Sequence, residues 1–116
     1  MAVNIIDSYR FGQIVVNGRD YTSDVIIFPD RVNDNWWRRV GHELCLDDLS
    51  EVIARKPEVL VVGTGASGLM KVLPEVGQSL EAQGIKLTAQ PTDEACNIYN
   101  QLCYSQRVVA ALHITC

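Results

Sequence analysis

The sequence predicts an α/β protein with three layers (β/β/α). An N-terminal antiparallel sheet packs on a parallel βαβαβ sheet, and the helices cover the outer face. Three observations predict this class. The first is that short apolar runs fill the first third of the chain, and the second is a two-residue turn signal among them. The third is that helix and strand patterns alternate from residue 47 onward. The 116 residues, 47% hydrophobic and 21% charged, suit one domain covering residues 1–116.

The first third contains three predicted strands and one hairpin turn. Asn17 and Gly18 form the turn signal, because both residues tolerate a positive φ. In residues 30–44 the apolar residues follow neither the spacing of a helix nor that of a strand, so we expect a long connection with room for one short strand. The predicted strands are Val3–Ile6, Gln13–Val16 and Asp24–Phe28.

Helices alternate with buried strands in the rest of the chain. A helix is expected from an N-cap at Asp47 to a stop at Pro57. Pro74 and Gly84 mark the start and the end of a second helix. Thr92 is expected to cap a third helix, whose first turn is acidic. Parallel pairing with right-handed crossovers is expected for the intervening strands, which are Val59–Val62, Ile85–Ala89 and Val108–Ile114.

The charge and the first residues exclude several classes of protein. Ten basic against fourteen acidic residues give a net charge of −4, which argues against sequence-independent binding of nucleic acid. The start of the sequence has neither the basic segment and apolar run of a secretory signal nor the composition of a transit peptide. No apolar run approaches the roughly 18 residues that span a bilayer. We therefore expect a cytoplasmic protein with no nucleic-acid or membrane partner.

A glycine-rich segment follows the first buried strand of the second part, and it matches the pattern G-x-G-x-x-G. In dinucleotide-binding proteins this pattern lets backbone amides and a helix N-terminus hold a pyrophosphate. Here the helix signal comes only at Pro74, and no carboxylate follows the next strand before Asp93. We expect the backbone to turn back after Val62 instead of entering a helix at Ala66. Anion binding by loop amides and a purely structural turn both remain open for Gly63, Thr64, Gly65, Ala66, Ser67 and Gly68.

Aromatic and basic residues cluster in the long connection, at Trp37, Arg38, Arg39 and His42, with Trp36 beside them. Such a cluster suits an anionic ligand or the carboxylates of a partner protein, since Arg offers a planar fork and Trp a face for stacking. The structural alternative is a loop pinned by Trp, with Arg stems lying along the rings.

The cysteines and the last strand give weaker indications. Small buried hydrophobes are expected at Cys96 and Cys103, since no pair has the spacing of a zinc knuckle. A Cys–His pair of His113 and Cys116 is conceivable, although a structural strand end is the simpler interpretation. His42 and His113 could meet, but without a placed carboxylate they make a poor metal site, so no metal, cofactor or catalytic residue is predicted.

These segments together resemble a known family. It is the small family that contains the vertebrate adipogenesis-associated domain protein and, more distantly, a mitochondrial complex I assembly factor. The resemblance covers nearly the whole chain and implies a three-layer β/β/α domain with no established active site or cofactor. Its members are implied to act in assembly or regulation through protein partners. The matching segments are Phe11-Gly12-Gln13, Trp37-Arg38 before Gly41, Val61–Gly65, Gly84-Ile85, Thr92-x-x-Ala95 with Tyr99-Asn100, and His113-x-Thr115-Cys116.

The predicted function is therefore a non-enzymatic protein-interaction or assembly module with an unidentified protein partner. The alternative is a binding protein or enzyme for a small anion or nucleotide-type ligand, built from the Gly63–Gly68 loop and the Trp37/Arg38/Arg39 cluster. Redox or metal chemistry through Cys116 and His113 is a third hypothesis.

Overall fold

A computed structural model describes residues 3–116, which form ten strands and three α-helices. The chain begins with the strands β1 (Ile6–Arg10), β2 (Gln13–Val16), β3 (Arg19–Tyr21), β4 (Val25–Ile27), β5 (Val32–Asn33) and β6 (Glu43–Leu44). A 3-10 turn (Leu46–Leu49) then leads into α1 (Ser50–Arg55). The remaining elements are β7 (Val59–Thr64), β8 (Lys71–Val72), α2 (Pro74–Ala82), β9 (Lys86–Gln90), α3 (Thr92–Leu102) and β10 (Val108–His113).

The first three strands form an antiparallel sheet in the order β1-β2-β3. The turn between β2 and β3 contains two residues, Asn17 and Gly18, with φ values of 52° and 78°. Two consecutive positive φ values give the turn the twist that a two-residue hairpin needs. The turn signal in the sequence therefore located this turn, but the second strand of the hairpin, β3, was not among the predicted strands.

The central sheet has five strands in the order β5-β4-β10-β7-β9. β10 pairs in parallel with β7 and antiparallel with β4, while β9 pairs in parallel with β7. Every residue of β7 and β10 is buried, as expected for strands that are covered on both faces. A small parallel pair, β6 and β8, lies outside this sheet.

Two apolar clusters cover the two faces of the central sheet. On one face, Val61 and Ala110 belong to a cluster that includes residues of β1, β2 and α3. On the other face, Val62 and Ala111 belong to a cluster that includes residues of α1 and α2, with Trp36. The alternation along each strand therefore assigns the antiparallel sheet to one side and two of the helices to the opposite side.

The α/β class with an N-terminal antiparallel sheet packed on a second sheet is confirmed. The second sheet is mixed instead of wholly parallel, because β4 pairs antiparallel with β10. The prediction that all helices cover the outer face is wrong for α3. This helix packs between β1 and the central sheet, on the inner side. The side chain of Asn100 holds it there. Its amide nitrogen donates to the Ile6 carbonyl at 2.8 Å, and its oxygen accepts from the Ile6 amide at 3.0 Å. Asn100 thus pairs with the backbone of β1 much as a neighbouring strand would.

The strands β3 and β8 were not predicted, and the long connection holds two short strands, β5 and β6, instead of one. Two of the predicted strands also differ from the prediction. The segment Asp24–Phe28 was expected in the antiparallel layer, but its strand β4 joins the central sheet, because Val25, Ile26 and Ile27 are all buried. The opening strand begins at Ile6 instead of Val3. The amide of Ile5 donates to the Asn17 side chain at 2.9 Å and not to a neighbouring strand.

The helix boundaries are close to the predictions at their C-terminal ends. α1 ends at Arg55, just before Lys56 with a φ of 48° and Pro57. Its start is later than predicted, because Asp47 lies inside the 3-10 turn that precedes the helix. Thr92 is the first residue of α3 and not its N-cap. Among residues 3–116, no helix combines the length and the apolar character that crossing a bilayer requires.

Candidate functional site

The predicted site residues converge at the carboxyl ends of β7 and β10. His113, the last residue of β10, pairs in register with Thr64, the last residue of β7. The glycine-rich loop follows Thr64, and the segment Ile114–Cys116 follows His113. In open α/β sheets this edge is where ligands most often bind.

The glycine-rich loop turns back on itself and packs against the segment after β10. Gly65 has a φ of 105°, and a Cβ there would lie 2.6 Å from the Thr115 carbonyl oxygen. The amide of Ala66 donates to that same oxygen at 3.1 Å, and the amide of Gly68 donates to the Gly65 carbonyl at 3.2 Å. The backbone therefore forms a turn at Ala66 and Ser67, and no helix begins there.

Thr92 fastens this turn to β10. Its hydroxyl accepts from the Gly65 amide at 2.9 Å and donates to the His113 carbonyl at 2.5 Å. A Cβ on Gly63 would lie 2.8 Å from the same hydroxyl oxygen, so glycine is needed for this close approach. The amides of Gly65, Ala66 and Gly68 thus donate within the protein, which leaves fewer donors for an anion than the sequence pattern indicated.

The structure separates the aromatic and basic cluster into buried and exposed members. Trp36 is buried, and its indole nitrogen donates to the Asp48 carbonyl at 2.9 Å. Trp37 is 78% exposed. Arg39 is also exposed, and it forms an ion pair of 2.7 Å with Asp47.

Arg38 belongs to the interior, with a side chain only 5% exposed. Its guanidinium lies over the Trp36 ring and donates to the Asp24 carboxylate at 2.8 Å. It also donates to the Gly41 carbonyl at 2.9 Å. Arg38 therefore fixes the loop from the inside, and the prediction that it forms one exposed surface with Trp37 and Arg39 is corrected.

Asp24 connects this arginine to His113. Its Oδ2 lies 2.9 Å from Nδ1 of His113, and its Oδ1 accepts from the Ile114 amide at 2.8 Å. Burial alone would raise the pKa of Asp24, but the hydrogen bonds from His113, Ile114 and Arg38 lower it below the usual value. Asp24 is thus an ionised carboxylate. Nδ1 of His113 lies 2.9 Å from this carboxylate and 3.0 Å from Nη2 of Arg38.

Sequence analysis did not single out Asp24. The only available signal was a charged residue immediately before the buried strand Val25–Ile27, and such residues also end strands for purely structural reasons. The meeting of Asp24, Arg38 and His113 depends on the antiparallel pairing of β4 with β10. That pairing was not predicted.

His42, His113 and Cys116 form a second group beside this network. The two imidazole rings lie 6.2 Å apart, edge to face. One nitrogen of each ring and the sulfur of Cys116 all lie within 4.8 Å of one another. Within the described part of the chain, Nε2 of His113 is buried and has no hydrogen-bond partner. Sequence analysis placed no carboxylate beside these histidines, but in the structure the carboxylate of Asp24 lies beside His113.

A cleft of about 430 Å³ opens on this side of the molecule. Asp24 and Arg38 line it together with Trp37, Asn35 and Thr115. Another cleft, of about 380 Å³, lies near Tyr104 and contains none of the predicted site residues. The cleft beside Trp37 therefore contains two of the predicted site residues, Trp37 and Arg38, whereas the glycine-rich loop does not line it.

The other cysteines are not part of either group. Cys96 and Cys103 are buried in the core, as the sequence indicated. Burial, with a smaller effect from the charge of Asp93, raises the pKa of the Cys96 thiol to about 12. A protonated, buried thiol of this kind is inert.

Four exposed apolar residues belong to chain segments that lie near the carboxyl ends of β7 and β10. Trp37 shares its cleft with Thr115, and Val40 lies beside the Gly41 carbonyl that Arg38 binds. Phe11 precedes Gly12, whose amide donates to the Ile114 carbonyl at 2.8 Å. Leu69 follows the glycine-rich loop. The exposed apolar rim is defined here as these four residues, Phe11, Trp37, Val40 and Leu69.

Comparisons with known proteins agree with this fold. The chain is 29% identical over 109 residues to human NADH dehydrogenase [ubiquinone] 1 alpha subcomplex assembly factor 3, a match that covers 91% of the chain and 58% of the human protein. The chain thus spans less than two thirds of that relative. It is 26% identical over 113 residues to a 13 kDa major membrane protein of Francisella tularensis, with 91% and 86% covered.

Solved structures of similar chains share the fold. A conserved hypothetical protein from Pyrococcus horikoshii OT3 superimposes with a TM-score of 0.82 at 29% identity, covering 96% of this chain and 98% of the archaeal one. The resemblance stated from the sequence is confirmed by a family model that matches residues 6–114 and is described as "Protein of unknown function (DUF498/DUF598)". Because this match includes nearly every strand and helix described above, the chain belongs to the DUF498/DUF598 family.

Proposed function

We propose that this protein is a non-enzymatic interaction module that binds a partner protein through the exposed apolar rim and takes part in assembling or regulating a larger complex. Residues 1–116 act as one domain in this proposal, and the cytoplasm is the proposed location. The observation that carries the proposal is the 78% exposure of Trp37 beside a cleft. Tryptophan is the residue type most enriched among side chains that dominate binding energy.

The position of Trp37 is held before any partner arrives. Its indole nitrogen donates to the Asn35 side chain at 2.8 Å, and the neighbouring Arg38 is anchored in the interior by Asp24. A side chain that is already ordered loses less conformational entropy when it is buried by a partner. This preorganisation favours a binding role over a disordered loop.

The relatives support the assembly part of the proposal. The human relative is named as an assembly factor of NADH dehydrogenase, and an assembly factor works by contacting subunits of the complex. We propose that this chain uses its shared fold in the same general way, with a subunit of a multisubunit complex as its partner.

Quantitative affinity capture with the Trp37→Ala variant tests the proposal. Recovery of the partner is expected to fall about 30-fold, which corresponds to a loss of about 2 kcal/mol for a central aromatic side chain. Tyr104→Ala is the matched control, because Tyr104 is 75% exposed but lies at the other cleft. Equal recovery by wild type, Trp37→Ala and Leu69→Ala would refute the proposal.

The second candidate function is binding of a small anion or nucleotide-type ligand in the cleft beside Trp37, as part of a binding protein or an enzyme. Its support is the 430 Å³ of space next to Arg38. The guanidinium already donates to Asp24 and Gly41, and the loop amides are engaged, so few donors remain for an anion. A ligand at about 100 times its dissociation constant stabilises a protein by about 2.7 kcal/mol. An unchanged melting temperature with phosphate and nucleotides would rule this candidate out.

A further inference from the structure

We propose that His42, His113 and Cys116 form a binding site for a divalent transition metal ion, with Zn²⁺ as the best-matched ion. Their donor atoms lie within 4.8 Å of one another. Two imidazole nitrogens and one thiolate suit zinc, which binds such ligands at about 2.0–2.3 Å in a tetrahedral arrangement. The proposal does not depend on the protein-interaction function.

The spacing requires only small movements. Donor atoms around tetrahedral zinc stand about 3.4–3.7 Å apart, a separation that follows from those bond lengths. His42 is exposed and Cys116 is partly exposed, so both side chains can rotate toward the ion. His113 is fixed, and it provides the reference position for the site.

The buried nitrogen of His113 is an independent indication of a ligand. The residue is 5% exposed, and its Nε2 has no hydrogen-bond partner among residues 3–116. Leaving a buried polar group unpaired destabilises a protein, and native proteins rarely do so without a function. A metal ion at this nitrogen would satisfy it.

The other nitrogen of His113 has the environment that metal-binding histidines usually have. Oδ2 of Asp24 lies 2.9 Å from Nδ1, and Nη2 of Arg38 lies 3.0 Å from it, so Nδ1 is engaged within the protein and Nε2 is the nitrogen left for a metal ion. Arg38 holds Asp24 from the opposite side. Carboxylate, imidazole and metal in series are a common arrangement in which the carboxylate orients the metal-binding histidine.

Three separate segments supply the ligands, and backbone contacts hold each one. The carbonyl of His42 accepts from the Lys71 amide at 2.8 Å, which ties the first ligand to β8. Next to Cys116, the Thr115 carbonyl accepts from the Ala66 amide at 3.1 Å. Three protein ligands leave a fourth position, which water fills in zinc sites of this kind.

Zinc titration of the chelator-treated full chain tests the site, with a chromophoric chelator as the competing ligand at neutral pH. One equivalent of Zn²⁺ is expected to bind to the wild type. His42→Ala and Cys116→Ser are each expected to weaken binding at least tenfold. Both positions are at least partly exposed, so these variants should keep the fold, which circular dichroism checks. Cys45→Ser is the matched control and should bind as the wild type does.

NMR of the histidine rings gives a readout that needs no variant. Adding Zn²⁺ is expected to shift the Nε2 resonance of His113 more than its Nδ1 resonance, because Nδ1 is engaged by Asp24. With Co²⁺ in place of zinc, a thiolate-to-metal absorption band should appear in the wild type and be absent in Cys116→Ser. Failure of the wild type to bind Zn²⁺, or binding by both His42→Ala and Cys116→Ser as tight as that of the wild type, would overturn the proposal.

Discussion

Asp24 accepts hydrogen bonds from three groups: the Arg38 guanidinium, Nδ1 of His113 and the Ile114 amide. Each of these groups belongs to a different part of the site, so one carboxylate positions the Trp37 loop, the histidine and the segment after β10. Buried ion pairs of this kind contribute little net stability when intact, but removing one partner is costly because the other charge stays buried.

The Asp24→Asn variant is expected to lower the free energy of unfolding by about 2–3 kcal/mol, because Arg38 would face a neutral amide and His113 would lose its charged acceptor. Urea unfolding measures the change. Asp47→Asn is the matched control. It removes a carboxylate from an exposed ion pair with Arg39, which contributes at most about 1 kcal/mol. Equal effects of the two substitutions would show that the buried network is not a stabilising feature.

At the scale of the elements, the course of the glycine-rich loop was predicted more reliably from the sequence than the positions of the elements around it. The lack of a helix signal before Pro74 was enough to predict that no helix begins at Ala66, but the turn comes later than the predicted one after Val62, because β7 continues to Thr64. Periodicity also located α3, but a buried stripe such as Ala95 and Tyr99 shows only that one face of a helix is covered. It does not show which face of the sheet covers it, so the inner position of α3 required the three-dimensional structure. The same limit explains why the Asp24–His113 contact was not found.

Gly65→Ala tests the packing of the loop. The substitution is expected to lower the free energy of unfolding by about 2–4 kcal/mol, since a Cβ would meet the carbonyl oxygens of Thr115 and Cys116 at 2.6 and 2.7 Å and the φ is 105°. Gly77→Ala is the control. It lies in α2 with open space around the new Cβ, and it should stabilise the protein by about 0.5–1 kcal/mol. A neutral effect of Gly65→Ala in denaturant unfolding would contradict the close contact.

At the scale of the whole molecule, the central sheet is held from both sides, while its edge strands and the N-terminal sheet are more open. β7 and β10 are buried along their whole length, whereas β3 is largely exposed and β5 is only partly buried. The local free energy of opening should follow this order, because opening costs most where both faces and both edges of a strand are covered.

Native-state hydrogen exchange is expected to reflect that order. The amides of Val61, Val62, Ala110 and Ala111 should exchange only through global unfolding, while those of β3 and β5 should exchange through local opening with markedly lower protection. NMR or mass spectrometry can measure both groups in one experiment. Uniform protection across all strands would instead indicate that the two sheets open as one cooperative unit.

β10 lies between β4 and β7 in the sheet, yet it follows both of them in the sequence. During synthesis on the ribosome, β4 and β7 therefore emerge without the strand that joins them, and their facing edges stay unpaired until residues 108–113 have been translated. Pairing across that gap links residues far apart along the chain, which slows folding. A nascent chain that stalls before this point presents two apolar strand edges to chaperones and to aggregation.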